Sequence, residues 1–188
     1  METTALAPAD RRASLLPTAL IGAAYLAVFV IFAASESWYT AFMAVHVSFV
    51  VLWIGGGLFL TMMGILAERA RDAQQLLAIT KMAALAGERI FPPASIVVLS
   101  MGIAMQINAH RSFSHFWIVF GLIGFASTFV IGMGVLAPRS KKLKALLTTK
   151  SADDPETIAA ISRILLIARV DIAVLLLVVA DMVIKPFS

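Results

Sequence analysis

His46 stands in "HVSFVVLWIGGG", residues 46–57, inside the longest apolar run of the chain. A neutral imidazole held among hydrocarbon side chains can ligate heme iron or copper, and a metal would account for its placement. Met43, His46, Val50, Trp53, Gly57, Thr61 and Gly64 recur at spacings of three and four. At about 100° per residue they form one stripe along a helix. That stripe should face other helices, because lipid would leave the ring nitrogens unsatisfied. Gly56 and Gly57, beside Trp53, remove side-chain bulk and let a backbone or a flat cofactor come close. A hydrogen bond from His46 to a carbonyl or serine of a neighbouring helix, with the glycines serving packing, explains the same residues without a cofactor.

Further ligands must come from elsewhere in the chain. Met101 and Met105, one turn apart, join Met43 in a sulfur-rich neighbourhood, and thioether with imidazole suits copper(I) or heme iron. His110 and His115 fall in or beside the connection after Met105. His115 is the better candidate, since it is expected in the first turn of a helix capped by Ser114; a place beside Trp117 at the membrane interface is its plainer role. Arg163, Arg169, Asp171 and Asp181 interrupt the last apolar run. Intramembrane charges are costly enough to be paired. They mark a proton route, a propionate contact or, more simply, salt bridges to Arg89 or Glu88 and an i,i+4 pair between Asp181 and Lys185. Cysteine is absent, which removes thiol catalysis and thiolate metal sites. No Ser-His-Asp order, phosphate-cradling glycine loop or metalloprotease helix occurs.

The elements that position these residues follow from composition. Of 188 residues, 61% are hydrophobic and 14% charged, and the mean hydropathy is +0.95. That excludes an ordinary soluble domain and implies an all-α, polytopic membrane bundle. Runs long enough to cross a hydrocarbon core of about 30 Å lie near residues 16–34, 38–67, 90–108, 115–137 and 157–184. The reading is therefore five transmembrane helices: residues 1–37 as an N-terminal tail with an added helix, retained and not cleaved as a signal peptide, and residues 38–188 as a four-helix core. The second run is too long for a bilayer and must tilt or protrude. Residues 68–91 form an amphipathic helix ending at Pro92-Pro93, which either lies along the cytoplasmic surface or extends the third span below a proline kink, and Asp154-Pro155-Glu156 caps the last helix.

Arginine and lysine set the orientation. Arg11, Arg12, Arg69, Arg71, Lys81, Arg89, Arg139, Lys141, Lys142, Lys144 and Lys150 fall on one side and only Arg111 and Lys185 on the other. This places the chain in a bacterial inner membrane with the N-terminus cytoplasmic and the C-terminus outside. The expected partners are the lipid bilayer, a redox partner or membrane complex, and a second copy in a homo-oligomer. Nucleic acid is not among them, since no aromatic-basic motif accompanies the positive charge.

His46, Trp53 and Gly55-Gly56 together resemble the "H-x6-W-x-G-G" signature of bacterial copper-resistance D-like membrane proteins. The basic connection and the closing "DMVIKP", Asp181 to Pro186, look like an uncharacterised family of predicted integral membrane proteins grouped near them. HemJ-type protoporphyrinogen IX oxidases are similar in placing a histidine seven residues before a tryptophan. That resemblance implies heme b with His46 as ligand. This chain continues "IGGGLFLTMMG" and lacks the oxidases' arginine and second histidine, so heme binding and electron transfer, not porphyrinogen oxidation, are what it implies. Copper handling through Met43, His46, Met101, Met105 and His115 is the alternative, and a cofactor-free accessory subunit the third.

Overall fold

A computed structural model describes residue 20, residues 23–25, 27–29 and 31–32, and residues 35–186. Among these the regular structure is helical, with no strand. The elements are α1, Trp38–Ala70; α2, Ala73–Arg89; α3, Phe91–Asn108; α4, Phe116–Leu146; and α5, Pro155–Ile184.

Local chemistry sets the boundaries. Ser37 caps α1, its side chain accepting from the Thr40 amide. Arg71 closes the helix in the left-handed region at φ 55°, and Asp72 opens α2 by accepting from the Gln75 amide at 2.9 Å. Pro92 and Pro93 occupy the first turn of α3, where their missing N–H groups cost nothing. The chain thus breaks at Ile90, between two separate helices, and does not bend one helix at a proline kink. At α5 the expected cap is present: the Asp154 carboxylate accepts from the Glu156 amide at 2.8 Å, with Pro155 following.

Two stretches depart from α geometry. Val51–Gly55 within α1 and Ile131–Leu136 within α4 are π-helical. The second explains why α4 runs past Pro138, the residue at which the sequence predicts its end. Proline leaves a carbonyl one turn back without its donor and crowds it, and the widened turn just before Pro138 accommodates both effects.

At 33 residues, α1 is about 50 Å long, against about 30 Å of hydrocarbon. The end of α1 at Ala67 is packed. Ala67 of α1, Leu76, Leu77 and Ile79 of α2, Leu143 of α4, and Ile161, Ile164 and Leu165 of α5 form the main buried cluster. α2 is therefore no surface-lying helix; it closes a four-helix cap at the basic end. There Lys144 of α4 reaches Glu88 of α2 at 2.8 Å and holds its carboxyl below the ordinary value of 4.5. A carboxylate so held stabilises the fold above that value and ceases to do so as acid protonates it. Glu88→Gln should leave the melting temperature at low pH unchanged and lower the neutral plateau only slightly, because the pair is exposed, so that the acid limb of the plot flattens by that same small amount.

In the opposite half, α1 packs on α3 and α4 packs on α5, while α5 also packs on the second half of α1. Glycines permit the close approaches: a Cβ on Gly57 would lie 2.6 Å from Ile172 Cδ1, and one on Gly64 3.2 Å from Leu165 Cδ2. α5 is thus the central helix, which is why it tolerates charge. Three described helices, α1, α3 and α4, are long and apolar enough to cross a membrane. α5 is 30 residues long, but Arg169, Asp171 and Asp181 interrupt its apolar run. Residues 16–34 lie largely outside the described residues, so spans there and at α5 are readings of the sequence. Tyr25 from that stretch meets Ser48 of α1, hydroxyl to hydroxyl, at 2.8 Å.

Candidate functional site

His46 sits half-buried on the α1 face that packs against α3. Its Nδ1 is 2.7 Å from the carbonyl oxygen of Val98 on α3. A carbonyl can only accept, so Nδ1 carries the proton and donates, leaving Nε2 with its lone pair. Among the described residues no hydrogen-bond partner faces Nε2. One turn beyond Val98, a Cβ on Gly102 would lie 3.3 Å from the ring's Cε1, so glycine leaves the space that the ring occupies.

The stripe does face protein, though not a single neighbour. His46 meets α3. Trp53, in the π-helical segment, sits edge-on against Phe125 of α4, with centroids 5.9 Å apart and planes at 77°; it also packs on Ile172 and Leu175 of α5. Gly56 faces the Phe91 ring, and Gly57 faces Ile172. Both glycines therefore serve close side-chain packing, and neither lies in a cluster with His46.

The remaining candidates differ in exposure. Met43 is 42% exposed, whereas Met101 and Met105 are half-buried on α3. His115 is exposed and extended at the N-cap of α4, which begins at Phe116, so the expectation that it is helical is corrected. Ser114 does not cap α4: its amide is instead bonded by Ser112 Oγ at 3.2 Å. His110 is exposed at φ 50° in the turn after α3. Among the described residues, no group of three or more His, Asp or Glu side chains could together hold a metal ion.

The charges of α5 find partners other than those expected. Arg169 pairs with Glu68 at the end of α1, while Glu88 is taken by Lys144. Lys185 does not pair with Asp181; its Nζ lies 5.4 Å from the centroid of the Trp117 ring. That suits a cation at a helix end, where an aromatic face attracts it. Asp181 is buried with Oδ2 unpartnered among the described residues, and so is Oδ1 of Asp171. Arg163 is exposed.

Sequence reasoning passed over Val98, Gly102 and Phe125. A glycine one turn from a valine inside an apolar helix was the available sign of close approach on α3. For Val98 itself no sign existed, since every residue has a carbonyl.

Residues 40–186 match the family described as "Predicted integral membrane protein (DUF2269)". No curated protein matches the chain. No solved structure matches it either.

Proposed function

The chain belongs to this family of predicted integral membrane proteins, and from that premise we propose that it binds heme b through Nε2 of His46 and takes part in electron transfer, alone or within a redox assembly, with its basic end in the cytoplasm. The hydrogen bond from Nδ1 to the Val98 carbonyl carries the reading. Metal-ligating imidazoles characteristically spend one nitrogen on a carbonyl or carboxylate, which fixes the tautomer and ring orientation and raises the basicity of the other. His46 meets that condition, and Gly102 leaves the space that the ring occupies against α3. The spacing of His46 and Trp53, shared with heme-linked and copper-linked membrane proteins, adds to it. A heme would supply a one-electron couple in a low-dielectric setting. The protein's own contribution is to hold the imidazole rigid between α1 and α3.

The same hydrogen bond satisfies half of the imidazole in a cofactor-free helix contact, so the deciding measurement is spectroscopic. Protein made with ample heme supply and purified in detergent should show a Soret band that shifts and sharpens on dithionite reduction. His46→Ala should lose that band while keeping its helical circular dichroism. A colourless wild-type protein, or a variant with an unchanged spectrum, would overturn the assignment.

A further inference from the structure

Between the five described helices, on the basic side of Trp53, lies a cavity of about 140 Å³. Trp53 bounds it toward the opposite half, Phe91, Phe129 and Ile172 line it, and Glu88 borders it at the basic end. Nearly all of that lining is apolar. Of its hydroxyls, Thr128 donates to the Phe125 carbonyl at 3.0 Å and Ser95 to that of Pro92 at 2.8 Å, while Thr61 and Ser140 also line it.

Asp171 also lines the cavity, and its carboxylate has no hydrogen-bond or ion-pair partner among the described residues, its Oδ1 being shielded from solvent. Arg169, the nearest cation along α5, is engaged by Glu68. A carboxylate in an apolar chamber is costly without a positive partner, and such groups are ordinarily paired or bound to something. Trp53, Phe91 and Phe129 line the same cavity, and aromatic faces attract a cation once water is excluded.

We propose that this cavity is a binding site for a small lipophilic ammonium ion, with Asp171 as counter-ion and Trp53, Phe91 and Phe129 as its aromatic wall. Its volume is close to that of roughly 150 Å³ apolar cavities that take up a benzene ring. The body of the ligand is therefore one ring or a short alkyl chain, and a porphyrin does not fit. The site is independent of His46, which does not line the cavity.

The test uses the full chain in detergent, with benzylammonium as the charged probe and benzyl alcohol as its neutral counterpart, titrated calorimetrically. Benzylammonium should bind at least about tenfold more tightly than the alcohol, a difference of about 1.4 kcal/mol. Asp171→Asn should erase that preference while the alcohol still binds, which also reports that the variant is folded. Ala168→Leu, which places bulk in the cavity wall, should weaken both probes and covers the case in which Asp171→Asn does not fold. Equal affinities in the wild type, a preference that survives Asp171→Asn, unchanged binding in Ala168→Leu, or no binding of either probe would each overturn the proposal.

Discussion

Gly124→Ala should lower the stability of the bundle by about 1–3 kcal/mol, the usual cost of overpacking a close contact. A Cβ at this position would fall 2.2 Å from Cγ2 of Val178, across the seam between α4 and α5. Valine on a helix has one strongly preferred rotamer, so its methyl cannot swing aside and the two helices must separate. Gly121, one turn earlier on the same seam, is the internal control. There a Cβ would lie even closer, 2.0 Å from Cε of Met182, yet the flexible end of a methionine can rotate away. Gly121→Ala should therefore cost less than Gly124→Ala, reversing the order that distance alone gives. Unfolding in mixed micelles would measure both, and Val178→Ala should recover part of the Gly124→Ala loss as a positive coupling in a double-mutant cycle. Equal costs at the two glycines, or no coupling to Val178, would show that α4 and α5 have room to part.

The same seam illustrates what can be read from one chain. Hydropathy located the long helices because lipid imposes a length and a composition on any span, and the Asp154-Pro155-Glu156 cap was legible because capping acts within one turn. The His46 stripe was legible for the same reason: helical periodicity is local. Which helix it faced was not, since Val98 offers only a carbonyl. The π-helical turns at Val51–Gly55 and Ile131–Leu136 left no mark in composition, and Pro138 consequently read as a stop. The charges of α5 misled in a different way. Spacing suggested Asp181 with Lys185, but a lysine at a helix end is free to turn, and the Trp117 face lies within its reach. Asp171 was visible as an anomaly. The cavity it enters was not, because residues from all five described helices line it.

Glu68→Ala should cost about 2 kcal/mol, between the cost of losing an exposed ion pair and the roughly 3–5 kcal/mol of breaking a fully buried one. Glu68 and Arg169 join the end of α1 to the centre of α5, with side chains 27% and 29% exposed. Gly64 packs on Leu165, which places Glu68 one turn toward the basic end from that contact and Arg169 one turn away from it on α5. The arginine side chain must therefore run toward the basic end to meet the carboxylate, as long cationic side chains do at a membrane boundary. Removing the acid leaves a cation in place with Nε already unpartnered among the described residues, so the loss exceeds that of an exposed pair, which is about 0–1 kcal/mol. The double variant Glu68→Leu with Arg169→Met should lie within about 1 kcal/mol of the wild type or above it, since desolvation of both charges is then avoided. Reversible unfolding of the single and double variants at low and high salt would decide the matter. If Glu68→Ala is neutral, or its effect vanishes in salt, the pair is a solvated surface contact, and apolar packing around Leu165 alone fixes α5 against α1. If the single variant is costly and the double is not, the pair governs which register of α5 is stable against α1, and with it the position of Asp171 in its cavity.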